Sequence, residues 1–189
     1  MKKGVNRMEQ KEKKGNELFS WIKSIVFALV LVYIIKTFFF APYMVEGASM
    51  SPTLHNHDKL YVNKIIYSVT EPKVGDIVII KGDDKRYVKR VIGVEGDTIQ
   101  VKKDKLLVNG KPVKEPYLNQ NKKQARTLGV YLTEDFGPIK IPKGKCFVMG
   151  DNRLNSMDSR NGLGLINIDS IEGKSEVVIY PFKDIRKTD

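Results

Sequence analysis

Ser49 stands in Gly47-Ala48-Ser49-Met50-Ser51-Pro52-Thr53-Leu54, between small residues and ahead of a proline that stops a strand or helix from running on. A turn of this kind can hold one hydroxyl exposed and fixed. A serine hydroxyl is a weak nucleophile until an adjacent base takes its proton. Histidine is the usual base, and serine–lysine pairs are a known variant. The two histidines, His55 and His57, lie in the polar turn before Leu60-Tyr61-Val62. Only six and eight residues beyond Ser49, they are poorly placed to turn back on it, and no third ligand joins them to hold a metal.

Lysines are numerous, so context must choose among them. Lys89 lies in Tyr87-Val88-Lys89-Arg90-Val91-Ile92-Gly93, which reads as a strand. Alternate side chains of a strand share a face. Lys89 therefore sides with Tyr87 and Val91, and Arg90 with Val88 and Ile92. One of the two cations points at an apolar layer. If it is Lys89, burial favours the neutral amine and makes it a base; otherwise it is a sheet-edge lysine in water. A third polar stretch, Gly150 to Arg160, contains Asp151, Arg153, Asp158 and Arg160 around Ser156. Two aspartates and two arginines in one loop can pair into a rigid wall, and Ser156 can hydrogen-bond a neighbouring group. Cys146, in the apolar run Cys146-Phe147-Val148-Met149, reads as a small core residue. A single cysteine excludes an internal disulfide and supplies no zinc set.

Two kinds of element must position these groups. Ile25 to Ile35 is an unbroken apolar run, and Trp21 to Phe40 spans 20 residues, about 30 Å as a helix and so the thickness of a bilayer's hydrocarbon core. Lys23 and Lys36 can snorkel at its ends, and Trp21 and Tyr43 suit the interfaces. A buried core helix would be shorter and amphipathic, and a surface helix would need a polar face. A cleaved leader would need small residues at its cut site, whereas Ala41 has Phe39 two residues before it and Pro42 directly after. The basic residues Lys2, Lys3, Arg7, Lys11, Lys13, Lys14 and Lys23 all precede the apolar run, so the N-terminus is expected in the cytoplasm.

After Met44 the pattern is mostly β. Asp76–Ile80, Tyr87–Val94, Thr98–Val101, Leu106–Val108 and Glu176–Tyr180 are short β-branched runs, with Asn109-Gly110 as a hairpin turn. No helix after residue 43 shows sustained helical periodicity, and residues 115–143 read as an excursion from the main sheet. The expected organisation is a basic cytoplasmic N-terminus at 1–20, a transmembrane anchor at 21–41 and an extracytoplasmic, mainly β domain at 42–189. The net charge of +11 divides into +5 over residues 1–43 (eight Lys/Arg, three Asp/Glu) and +6 over the other 146 residues. Without an Arg-rich tract or ordered basic and aromatic residues, this is a mildly basic solvated surface and not a nucleic-acid site.

The three polar stretches, in this order and approximate spacing, with the apolar segment and Gly75-Asp76-Ile77-Val78, resemble bacterial type I signal peptidases of the single-anchor, Gram-positive form. The resemblance implies the β fold shared with LexA-type repressor autoproteases, behind one transmembrane helix. It also implies a membrane-bound serine endopeptidase that removes signal peptides from exported preproteins after Ala-x-Ala-like sites, without cofactor or metal. By resemblance Ser49 is the nucleophile and Lys89 the general base. Ser156 matches a serine that hydrogen-bonds and orients that lysine. Asp158 and Arg160 match a structural ion pair, with Asp151 and Arg153 in support. Val45, Met50, Leu54, Tyr87 and Val88 match positions lining pockets for small substrate residues. The chain departs from the family at Val94-Glu95, where many members have a proline before Gly-Asp, and at Gly47, where some carry a hydroxyl that donates to the oxyanion. Here the oxyanion would rest on backbone N–H groups such as that of Ser49. The implied partners are preproteins and membrane lipid, in the cell membrane. A membrane-tethered binding module without chemistry is the competing reading; a self-cleaving regulator would need a DNA-binding domain where this chain has an apolar segment.

Overall fold

The computed structural model describes residues 19–33 and 40–188, and the chain divides into two units, Met1–Phe40 and Ala41–Asp189. In the first unit, residues 19–33 form a helix, α1, with exposed apolar side chains that include Trp21, Phe27, Leu29 and Tyr33. Fifteen residues rise about 22 Å, and no helix among the described residues is long and apolar enough to cross a membrane. Residues 1–18 and 34–39, on which most of the expected cytoplasmic segment and part of the expected anchor fall, lie outside the described residues. At its far end the expected anchor overlaps a strand, since β1 runs Phe40–Met44. Pro42 explains this: it disfavours helical backbone at Ala41 and donates no N–H.

The second unit is mainly β. The remaining strands are β2 (Lys59–Asn63), β3 (Ile77–Lys81), β4 (Arg86–Gly93), β5 (Thr98–Lys102), β6 (Lys105–Val108), β7 (Lys111–Pro112), β8 (Phe136–Lys140), β9 (Lys145–Met149), β10 (Ile166–Asn167), β11 (Ile171–Tyr180) and β12 (Arg186–Lys187). Among the described residues, one sheet of eight strands has the order β1-β2-β11-β3-β4-β9-β10, with β12 on β11, and a second has the order β7-β6-β5-β8. Asn109-Gly110 joins β6 to β7 with both residues at positive φ, the backbone a two-residue hairpin turn requires.

Three apolar clusters fill the domain. Val45, Met50, Leu54, Leu60, Ile77, Ile79, Val88 and Val178 form one, and Val78, Ile80, Val91, Cys146, Val148, Ile166 and Ile171 another. The third joins Ile92, Phe147 and Met149 of β4 and β9 to Ile99, Val101 and Leu106 of the smaller sheet. β4 contributes to all three through Val88, Val91 and Ile92, because apolar layers cover both its faces.

Residues 115–143 contain β8 and a helix that periodicity does not reveal, α3 (Asn119–Thr127), preceded by a 3₁₀ turn at Pro116–Leu118; a one-turn helix, α2 (Ile66–Val69), lies earlier in the chain. α3 is held by one small cluster, Leu118, Ala125 and Leu132, with Tyr117 against it. Apart from Ala125 its residues are polar, so it lacks the apolar stripe by which a helix is read.

Candidate active site

β4 carries Lys89 and Arg90 into the interior on opposite faces, and both are buried, each 3% exposed. The sequence left open which cation meets an apolar layer; in a strand covered on both sides, both do. Lys89 Nζ donates to Ser49 Oγ at 2.6 Å. Burial lowers the Lys89 amine from an ordinary 10.5 to about 8; Lys85 and Arg160 push the same way, against Asp158 and Asp151. Arg90 instead makes a bidentate ion pair with Asp151, at 3.0 and 2.9 Å, and its guanidinium lies 4.1 Å from the Tyr117 ring centre.

The Ser49 turn is fixed from several directions. Asn152 N–H donates to Ser49 O at 2.9 Å, and Asn152 Nδ2 to Ala48 O at 3.1 Å. Thr53 Oγ1 donates to Asp151 Oδ2 at 2.5 Å. Gly47, at φ +88°, has its N–H on Asn56 Oδ1. Gly150 is where the turn and the charged loop touch. A Cβ there would sit 2.4 Å from Ser49 O and 2.3 Å from Ser156 Oγ, so only glycine fits without a shift.

The charged loop pairs differently from the expectation of two internal aspartate–arginine contacts. Asp158 and Arg160 do form a bidentate pair, both bonds at 2.8 Å, with Asp158 fully buried. Burial pushes the Asp158 carboxyl up, but Arg160 and the Gly150 N–H outweigh it and hold the carboxyl below the usual range. Asp151 and Arg153 reach outside the loop instead. Asp151 pairs with Arg90, and Arg153 with Glu115 at 2.5 Å while its Nε donates to Gly150 O. Tyr117 Oη donates to the same Glu115 carboxylate. The pairings of Arg90 and Glu115 escape a sequence reading because their partners lie 61 and 38 residues away. Ser156, implied by resemblance to orient Lys89, makes no hydrogen bond to it here. Its Oγ is buried against Gly150, beside the Asp158 carboxyl whose charge it helps stabilise, and it makes no hydrogen bond of normal geometry to Lys89 or any other group.

Ser49 and Lys89 open on a groove of about 680 Å³ between residues 43–50 and 84–89, closed at one side by Asn155 and Met157. Val45, Met50, Tyr87 and Val88 line it; Leu54 is fully buried in the core and does not. β3 pairs with Arg86 to Arg90 of β4, whereas β9 pairs from Arg90 onward, so one edge of the first half of β4 has no β9 partner. The remaining candidates lie apart. His55 and His57 are exposed in their turn, and the Cys146 thiol is buried in β9, its pKa pushed up to about 12 by that burial. Glu95 occupies the turn after β4, where its carboxylate accepts from Gly144 N–H at 3.0 Å. Among the described residues no three His, Cys, Asp or Glu side chains gather where a metal could bind.

Comparison with known proteins narrows what such a site belongs to. The sequence model of the family described as "Signal peptidase, peptidase S26" matches residues 18–180. Signal peptidase I of Bacillus licheniformis is 57% identical over 183 residues, covering 96% of this chain and 98% of that protein. Signal peptidase I T of Bacillus subtilis (strain 168) is 56% identical over 188 residues, covering 98% and 97%. The crystal structure of a signal peptidase I from Enterococcus faecalis V583 matches with a TM-score of 0.52 at 32% identity, covering 56% of this chain and 97% of that one. A match that runs through nearly the whole chain at this identity leaves one assignment: the chain belongs to the signal peptidase family, peptidase S26, and is a type I signal peptidase, a hydrolase.

Proposed function

We propose that the chain is a membrane-bound serine endopeptidase in which Ser49 attacks and Lys89 is the general base, cleaving signal peptides from exported preproteins after Ala-x-Ala-like sites. The contact of the buried Lys89 Nζ with Ser49 Oγ at 2.6 Å, at the wall of the groove, carries this reading. An amine at about 8 is neutral often enough near pH 7 to take the Ser49 proton. Ser49 Oγ then adds to the substrate carbonyl, and collapse of the adduct expels the new N-terminus, protonated by Lys89. Water activated by the same amine releases the acyl group from Ser49. Asp158 with Arg160, and Asp151 with Arg90, hold the wall behind the pair, and Arg153 holds Gly150. Ser156 packs on Gly150 beside Asp158, a steric support for that wall.

The substrate would enter as an extended strand along the unpartnered edge of β4, with main-chain hydrogen bonds supplying affinity and small pockets near Val45, Met50, Tyr87 and Val88 selecting alanine. Such binding tolerates varied sequence elsewhere. The apolar segment at 21–41 would anchor the enzyme with its N-terminus in the cytoplasm and residues 42–189 outside. Sharing one membrane with its substrate raises the effective concentration of both.

The test is cleavage of a preprotein carrying Ala-x-Ala by the detergent-solubilised full chain, with the new N-terminus sequenced. Ser49→Ala and Lys89→Arg should both abolish cleavage, since arginine keeps a cation but cannot be deprotonated. A Lys89→Arg protein within about tenfold of the parent, roughly 1.4 kcal/mol of barrier, would remove Lys89 as the base.

A further inference from the structure

Ser49 is held by backbone contacts with the charged loop, and that seam has one side-chain fastener that comes from neither segment. Asn121, on α3, is buried, and its Nδ2 donates to Ser51 O at 2.9 Å and to Asp151 O at 2.8 Å. Both hydrogens of one amide are thereby spent across the junction, one on each side. Ser51 is two residues beyond Ser49, and its peptide continues into Thr53, which donates to the carboxylate of Asp151. Asp151 in turn fixes Arg90, the chain neighbour of Lys89. The amide therefore ties together the segment bearing the hydroxyl and the loop that orients the strand bearing the amine.

We infer that Asn121 is a positioning residue for the reaction, setting the register of the Ser49 turn against the Asp151 loop and through both the approach of Ser49 Oγ to Lys89 Nζ. This rests on the reading of Ser49 and Lys89 as the reacting pair. The chemistry selects the residue type. Two carbonyl oxygens facing one point need two N–H donors on one short planar group, which asparagine supplies. Aspartate has the same size and shape but would turn an acceptor toward two acceptors. Alanine would leave both buried carbonyls without a partner, and such groups draw in water or shift the backbone to find one. A displacement on the order of 1 Å at a reacting group can cost about a hundredfold in rate.

Kinetics on the detergent-solubilised full chain would decide, with Asn121→Ala and Asn121→Asp beside Ala125→Gly. Ala125 is buried one turn further along the same helix and touches neither carbonyl, so its replacement loosens α3 while keeping the amide. Both Asn121 variants should lose between about tenfold and a hundredfold in kcat with KM changed less than about threefold. Ala125→Gly should lower the melting temperature and leave kcat within about twofold below that temperature. In parallel, amide hydrogen exchange over residues 48–53 should accelerate in the Asn121 variants and not in Ala125→Gly. Parent-like kcat in Asn121→Ala, or an equal fall in Ala125→Gly, would overturn the assignment. If the parent itself cleaves nothing, the reading of the Ser49–Lys89 pair fails separately, and unchanged exchange over 48–53 would still reject Asn121 as the fastener.

Discussion

Replacing Lys89 by methionine should make the protein more stable and inactive at once. Lys89 is buried, and its pKa falls from 10.5 in the open chain to about 8 in the fold. Between those values the unfolded chain holds a proton that the folded one has released, so stability climbs as pH rises through this window and is lowest below it. At pH 7 the folded protein must bury an ammonium, at a cost on the order of 3 kcal/mol relative to high pH. Methionine has a stem of similar reach and no charge. Against the relief stands the hydrogen bond to Ser49, which contributes about 1 kcal/mol. The net gain for Lys89→Met is then about 2 kcal/mol at pH 7, a rise of roughly 4–8 °C in melting temperature for a domain of this size. The gain should shrink steadily from pH 8, vanish near pH 10 and turn into a small loss by pH 10.5, where only the missing hydrogen bond remains. Urea unfolding of the detergent-solubilised full chain, followed by far-ultraviolet circular dichroism at pH 7, 9 and 10.5, measures it. Lys89→Arg, which cannot shed its charge, should show no such gain. A Lys89→Met protein no more stable than the parent at pH 7, or a difference indifferent to pH, would refute the claim that a buried amine is held there against its preference.

Other outcomes follow from the same site. Cleavage by the parent should fall about tenfold per pH unit below pH 8 and level off above it, with one ionisation on the acid limb; a limb centred near 6 would point to another base. Asp158→Ala leaves Arg160 without its bidentate partner and strips the Gly150 N–H, and should cost about 3 kcal/mol with cleavage falling alongside; normal thermal stability and turnover would make the pair a surface contact. Gly150→Ala should cripple cleavage even if the protein folds, because its Cβ meets Ser49 O and Ser156 Oγ; full activity in a purified variant would contradict the packing. Cys146 should resist thiol reagents at pH 8 until urea unfolds the chain, since its thiol is buried and rises to about 12; fast labelling of the folded protein would show otherwise.

The strands were legible because their cause is local: β-branched runs between turn residues at 77–80, 87–93, 98–101 and 106–108, with Asn109-Gly110 as the bend. α3 was not, since a polar helix held by Leu118, Ala125 and Leu132 leaves no periodic stripe. Ser49 and Lys89 stood out in the sequence as candidates by type and context, and the resemblance supplied their implied roles. Which way Lys89 pointed depended on what covered β4, and that is decided by strands distant in sequence. The partners of Asp151 and Arg153 were hidden for the same reason, because ion pairs between residues 90 and 151, or 115 and 153, leave no trace in spacing. Leu54, which the resemblance implied lines a pocket, packs instead in the core with Met50, Leu60 and Val178.

β11, near the end of the chain, lies between β2 and β3 in the middle of the larger sheet. As the polypeptide emerges with its N-terminus first, β2 and β3 therefore have no common neighbour until residues 171–180 arrive. Their pairing with β11 spans about 90 to 120 residues, and contacts of such separation form slowly. The hydroxyl at 49 and the amine at 89 are synthesised early, yet the wall at 150–160 and the strand that closes the sheet come last. A chain still being made, or one broken before residue 171, would carry Ser49 and Lys89 without the sheet that places them side by side. The order of synthesis thus delays assembly of this scaffold until residues 171–180 have emerged.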